Sequence, residues 1–306
     1  MALRVAIPDL VSPSYFPAIA AVELGLFRQE GLDATLELVY PVTRTYAELR
    51  AGRLDFVGGA AHAALYAFKD WNGGKLVCAL AQRMYWFLVL RADVGAKRGE
   101  LHKVKGLRIG AAPGPVDGLR QMLRDAGIDP ERDVTIGPIP LPSGVSFGVT
   151  AAKALAAGEI DGFWANGMGA AVAVRNRVGT LVIDARRGDG PPAAPHYTFP
   201  ALVTTQKKID EDPPTVAAAV RAVVGAQAAL KEDPERATAI GRRLFPETEA
   251  ELIAELVLRD VPFYDPVIGE ATVEAMERFA CGIGLLAEPV PYGDVVATRF
   301  RDLWTA

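Results

Sequence analysis

The feature that most constrains this chain is a phrase it carries twice. AGRLDFVGGAAHAAL occupies 51–65 and AAGEIDGFWANGMGAA occupies 156–171. Both have Ala-Gly, one residue, Leu or Ile, then Asp, and both run through an apolar piece into Gly- and Ala-rich sequence. In the first copy VTRTYAELRAG reads as a short helix, with Thr43 capping its start and Gly52 supplying the left-handed residue that ends it. LDFV then reads as a buried strand, and GGAAHAAL as a small-residue loop that turns helical. In the second copy FGVTAAKALAAG is the helix, Gly158 its terminator, IDGFW the strand and ANGMGAAVAV the next helix. A second echo pairs LRVAIPDLVSPSYFPAIAAVELGL, from Leu3, with LRIGAAPGPVDGLRQML, from Leu107. Gly52 and Gly158 stand 106 positions apart, and Leu3 and Leu107 stand 104 apart. Two matches at nearly one offset imply two lobes built on one βαβα plan.

Alternating strands and helices imply parallel sheets covered by helices. Ligands of such sheets bind beyond the carboxyl ends of the strands, where loops meet helix starts. Four equivalent loops then qualify: Asp9–Tyr15, Gly58–His62, Ala112–Asp117 and Trp164–Gly167. On this reading the phrase occurs twice because each lobe supplies one wall of a single ligand cleft. AQRMYWFLVLRADVG and YTFPALVTT are long extended runs and read as crossings between lobes, near 88–94 and 200–205. They make a hinge. Lobe I is therefore expected at 1–90 and 205–306, and lobe II at 91–204.

Composition excludes several classes. A net charge of −4 over 306 residues, with no Lys/Arg block, argues against nucleic acid. No run of about eighteen apolar residues offers a membrane span. The two cysteines, Cys78 and Cys281, form no CxxC pair, and no metal or cofactor motif is present, so neither is expected. Met1 leads almost at once into LRVAIP. The protein is thus expected in the periplasm if a signal peptide has been removed, and otherwise in the cytoplasm.

PSYFPAIAAVELGLFRQEGLDATLELV, AELRAGRLDFVGG, VLRADVG with VKGLRIGAAPG, AAGEIDGFWA and IDEDPPTVAAAVRAVVGAQAAL together resemble one group. These are the ABC-transporter solute-binding proteins for sulfonates, taurine, nitrate and thiamine-pyrimidine precursors. The resemblance covers nearly the whole chain in order. It implies a type II periplasmic-binding-protein fold: two α/β lobes, two crossing hinge strands, and closure on a small molecule. It also implies an ABC permease as partner. The same superfamily holds soluble enzymes, including pyrimidine synthases, dihydroxyphthalate-type decarboxylases and an aryl sulfinate desulfinase, and ligand sensors.

The candidate ligand residues follow from the loops. Ser12, Ser14 and Tyr15 precede a helix starting near Phe16; each serine can cap it or meet ligand. Gly59 and Ala60 offer a close backbone approach, or simply tight helix–sheet packing. His62 is one of three histidines and reads equally as a ligand contact or a hydrogen-bonded structural residue. Arg44, just past the second strand, is the guanidinium best placed for an acidic ligand. Pro115, Val116 and Asp117 open a helix, with Asp117 also suited to that helix's dipole. Trp86 lines the site or fills the core. Trp164 and Asn166 close a strand, the indole as a stacking platform and the amide beside it. A stacking Trp164 implies that Trp164→Ala weakens binding about ten- to a hundred-fold with the melting temperature nearly unchanged.

Two functions are compatible with these residues. The first is a binding protein for a small planar aromatic or heterocyclic organic molecule, with an anionic group as one option. The second is a cytosolic enzyme on the same fold, of the aromatic-acid decarboxylase or pyrimidine-precursor kind, or a sensor. The enzyme reading lacks a nucleophile, since neither cysteine falls in the four loops.

Overall fold

The structure, a computed structural model, describes residues 2–139 and 146–305. The chain divides into two compact units, Met1–Arg83 with Thr198–Ala306 (unit 1), and Met84–Tyr197 (unit 2). Unit 1 contains β1 (Leu3–Ile7), α1 (Phe16–Glu23), α2 (Leu26–Gln29), β2 (Ala34–Leu38), α3 (Val42–Arg50), β3 (Phe56–Ala60) and β4 (Gly74–Ala79). Unit 2 contains β5 (Phe87–Arg91), β6 (Arg108–Ala111), α4 (Pro115–Asp125), β7 (Thr135–Gly137), α5 (Phe147–Ala156), β8 (Gly162–Ala165), α6 (Gly167–Arg175) and β9 (Gly179–Asp184). The chain then returns to unit 1 as β10 (Pro200–Thr205), α7 (Gln206–Glu211), α8 (Pro213–Glu232), α9 (Arg236–Leu244), α10 (Glu247–Asp260) and α11 (Glu270–Gly282). No helix among the described residues is long and apolar enough to cross a membrane.

The repeat is real at the level of topology. The sheet of unit 1 runs β2-β1-β3-β10-β4 and that of unit 2 runs β7-β6-β8-β5-β9. Position by position the two orders match. In each, one antiparallel strand sits fourth, and it is the strand the chain makes just after arriving from the other unit. Leu3–Val5 of β1 and Arg108–Ile109 of β6, the strand that follows Leu107, belong to different sheets, as two lobes require.

Of the segments expected to cross, 88–94 and 200–205, residues 88–91 and 200–205 prove to lie in strands that have a neighbour on each side, and Ala92–Val94 form a 3₁₀ turn. β5 lies between β8 and β9, and β10 between β3 and β4. The chain therefore changes unit before these strands, at Arg83/Met84 and Tyr197/Thr198. Ladder hydrogen bonds on both edges assign each strand wholly to the unit it has entered.

Structure also explains the repeated phrase. Asp55 and Asp161 stand directly before β3 and β8. The Asp55 carboxylate accepts the Arg4 backbone N–H at 2.9 Å, and the Asp161 carboxylate accepts the Arg108 backbone N–H at 2.9 Å. In return the Asp55 and Asp161 amides donate to the Arg4 and Arg108 carbonyls, at 3.0 and 2.8 Å. The phrase at Asp and the phrase at Leu-Arg are thus two halves of one clamp joining neighbouring parallel strands. The clamp sits at the strand starts, the opposite edge from the loops. Repetition here records a way of starting a sheet.

Helix ends follow the glycines. Gly52 and Gly158 take the left-handed conformation, φ +72° and +73°, that terminates α3 and α5. Thr43 does not cap α3; Pro41 occupies the cap position and Thr43 lies within the helix. A different pair of glycines packs α5 on α6. A Cβ on Gly169 would lie 2.5 Å from the Gly148 carbonyl oxygen. By contrast a Cβ on Gly225, inside α8, would meet only the Leu26 Cδ1 at 3.8 Å. Both substitutions to Ala gain about 1 kcal/mol of helix propensity. Gly225→Ala should therefore raise the urea midpoint, whereas Gly169→Ala should lose about 1–3 kcal/mol to overpacking.

Candidate ligand site

Within each unit the carboxyl ends of the parallel strands share one sheet edge with the start of the antiparallel strand. In unit 1 that edge carries the loop after β1, the start of α3, the end of β3 and Thr198–Phe199 before β10. In unit 2 it carries Ala112–Asp117 after β6, Asn166 after β8, Ala185–Arg186 after β9 and Tyr85–Trp86 before β5.

In unit 1, Ser12, Ser14 and Tyr15 are all buried. Tyr15 holds the N-cap position of α1 and no side chain caps that helix, so the serines are not its caps. The Ser12 hydroxyl is wholly buried and has no hydrogen-bond partner among the described residues. Leaving a buried hydroxyl unsatisfied costs about 1–3 kcal/mol, a cost tolerated where a ligand supplies the partner. Gly58, Gly59 and Ala60 are residues of β3 rather than of a loop, and a 3₁₀ turn, Ala61–Tyr66, follows. A Cβ on Gly59 would approach the Tyr46 hydroxyl to 2.8 Å, and that hydroxyl donates to the Ala60 carbonyl at 3.0 Å. Gly59 is thus small to admit Tyr46, whose phenol burial holds well above its usual range. His62 is fully buried in the 3₁₀ turn, its Nδ1 2.9 Å from the Thr198 hydroxyl and its ring 5.3 Å from that of Phe279. Arg44 lies on α3 with its side chain 68% exposed, 4.0 Å from Glu48. The guanidinium expected to meet an acid is a solvated helix residue, because the helix begins at Val42 and turns the third position outward.

In unit 2, Trp164 is fully buried, and its indole N–H donates to the Pro115 carbonyl at 3.0 Å. Trp86 lies 6.2 Å from Trp164, and Tyr85 lies 4.9 Å from Trp86, ring centre to ring centre. The three rings form one cluster under the first turn of α4, where Pro115, Val116 and Asp117 are half-buried. Asn166 is the N-cap of α6, its Oδ1 accepting from the Met168 and Gly169 amides at 3.0 and 3.2 Å. That is capping work, which an Asn at a strand-to-helix junction announces by itself.

Sequence reasoning missed Arg186. It is fully buried two residues beyond β9, with its guanidinium 5.6 Å over the Tyr85 ring. The only signal was positional, since β9 ends at the loop-bearing edge. The neighbouring Arg187 pairs with Asp184 at 3.1 Å. Among the described residues no three His, Cys, Asp or Glu side chains group as a metal site. Cys78 lies inside β4, where burial pushes its thiol far up, and Cys281 lies on α11, raised by burial and by Glu277 and Glu288.

Comparison with known proteins agrees with this architecture. No curated protein matches the chain in sequence. Among solved structures, a protein from Bordetella bronchiseptica is similar over 95% of this chain and 90% of its own, at 19% identity and a TM-score of 0.76. The alkanesulfonate-binding protein SsuA from Xanthomonas axonopodis pv. citri, bound to MOPS, is similar over 98% of this chain and 97% of its own, at 14% identity and a TM-score of 0.74. A DSZB mutant in complex with biphenyl-2-sulfinic acid is similar over 99% and 98%, at 16% identity and a TM-score of 0.68. Identities this low speak for fold, and the fold is the two-lobe periplasmic-binding-protein arrangement. The model of the NMT1/THI5-like family matches residues 12–237, from the loop after β1 into α9, and the chain belongs to that family.

Proposed function

We propose that the protein is a solute-binding component of an ABC importer, working in the periplasm and capturing a small, planar, anionic organic molecule. The candidate contacts of unit 1 are Ser12 and Tyr15, and those of unit 2, taken by itself, are Trp86, Pro115, Val116 and Asp117. The observation that carries this reading is the Ser12 hydroxyl, buried without a partner among the described residues at the strand-exit edge. The aromatic cluster at the corresponding edge of unit 2 and the buried Arg186 favour a ligand with a flat face and negative charge. Fold similarity to a sulfonate-binding protein supports the class.

The test is thermal denaturation with MOPS, taurine and biphenyl-2-sulfinic acid, alongside mass spectrometry of small molecules released from the purified protein. A ligand at about a hundred times its Kd adds about 2.7 kcal/mol of stability. Absence of both a co-purified molecule and any stabilisation would sink the binding reading. Consumption of biphenyl-2-sulfinic acid would replace it with an enzyme. Neither cysteine favours that outcome, since the thiols sit in β4 and α11 with their ionisation suppressed.

A further inference from the structure

Tyr197 and Thr198 are neighbours in sequence, yet the first ends unit 2 and the second opens the returning segment of unit 1. Each is fastened by its side chain into its own unit. The Tyr197 hydroxyl donates to Asp125, the last residue of α4. Burial, and then the Asp125 carboxylate, raise the Tyr197 phenol far above its usual range, so it stays protonated and remains a donor. The Thr198 hydroxyl lies 2.9 Å from His62 Nδ1 and accepts from the His62 backbone N–H at 3.4 Å. Next to it, the Phe199 carbonyl accepts from the Ala61 amide at 2.9 Å.

These contacts reach toward candidate ligand elements on both sides. α4 begins with Pro115–Asp117 and ends at the residue that holds Tyr197. The turn that holds Thr198 begins directly after β3. Two adjacent side chains therefore hold the far end of one ligand-bearing element and the near end of another. The other connection is fastened differently. There the Met84 amide donates to the Pro195 carbonyl at 2.8 Å, and the Gln82 amide side chain bonds the Asp265 and Val267 carbonyls at 2.9 and 2.8 Å. Arg83 between them takes a left-handed backbone, φ +64°. This link is held by backbone carbonyls and, on the unit 2 side, by Met84 and Trp86 packed against Gly118 of α4, without a side-chain hydrogen bond of its own to the turn after β3 among those just named.

We propose that Tyr197 and Thr198 are positioning residues that couple α4 of unit 2 to the turn after β3 of unit 1. His62 on this view positions the binding loop through Thr198 and does not itself touch ligand. The purpose of the coupling rests on the binding reading above, but the coupling exists, or fails, in the ligand-free protein.

Hydrogen–deuterium exchange of the full chain without ligand tests it. Thr198→Val keeps the shape and removes the hydroxyl. It should speed exchange at the Ala61 and His62 amides about five- to ten-fold, and also at the last turn of α4. Thr198→Ser should restore both. Tyr197→Phe should speed exchange at the end of α4 and, through the link, at Ala61 and His62. A merely structural hydroxyl would loosen its own unit only. If each variant changes exchange solely in the unit that holds it, the proposal is overturned. Should Thr198→Val fail to fold, Tyr197→Phe decides the matter by the same criterion.

Discussion

Trp164→Ala is expected to cost about 3–5 kcal/mol, lowering the melting temperature of unit 2 by roughly 10–20 °C. Three observations set that size. The side chain is fully buried, its strand β8 is paired on both edges, and its indole touches Trp86 and the Pro115 carbonyl. Removing it opens a cavity flanked by a strand and a helix start, which can collapse only partly. Trp164→Phe keeps most of the ring and should lose about 1 kcal/mol, chiefly the N–H bond to Pro115. Differential scanning calorimetry would resolve the two. Sequence reasoning put this indole in the ligand site and expected an unchanged melting temperature for Trp164→Ala. An unchanged melting temperature would return it there. Trp86, at 2% exposure, is packed in the same cluster between Tyr85 and Trp164.

The fold was legible because backbone signals are local. Left-handed glycines at 52 and 158, prolines at the starts of α4 and α8, and alternating apolar strands each state their element directly. Two echoes at one offset then gave the duplicated plan. Site residues were harder, because a side chain's role depends on what lies opposite it in space. Arg44 sat at the right point of the chain, but helical geometry turned it to solvent. Gly59 read as a close backbone approach or as tight helix–sheet packing, and the structure shows the packing, with Tyr46 of α3 against it. Arg186 was not singled out in the sequence and is buried over a tyrosine. Polar residues at a strand-to-helix junction serve caps and ligands with the same groups, so Asn166 and Ser12 read alike in sequence. Only the hydrogen-bond partners separate them: Asn166 spends its oxygen on α6, while the Ser12 hydroxyl has none among the described residues.

The repeated aspartates give a prediction that differs between the two copies. Asp161 accepts four hydrogen bonds, from the Arg108 backbone at 2.9 Å, from Arg108 Nε and Nη2 at 2.9 and 3.1 Å, and from Arg91 Nη1 at 3.0 Å. Its side chain is 11% exposed. Asp55 accepts the Arg4 amide and lies 3.5 Å from the Lys208 ammonium, and its side chain is 28% exposed. Removing Asp161 leaves a strand amide without its acceptor and two guanidinium groups that water can reach only in part. Asp161→Ala should therefore cost about 2–4 kcal/mol, and Asp55→Ala about 1–2 kcal/mol. Acid should discriminate them further. Hydrogen bonding from the Arg108 side chain, then from its backbone, holds the Asp161 carboxyl below the usual carboxylate range, against the opposing effect of burial. A carboxyl depressed in the folded state stabilises the fold above its unfolded pKa, about 3.9 for Asp, and loses that contribution as pH falls through the folded value. Urea unfolding at neutral pH and near pH 3 measures the difference. The gap between wild type and Asp161→Asn should be wide at neutral pH and narrow in acid. A gap that is independent of pH would mean that the clamp in unit 2 works through shape and neutral hydrogen bonds, with the carboxylate charge contributing nothing.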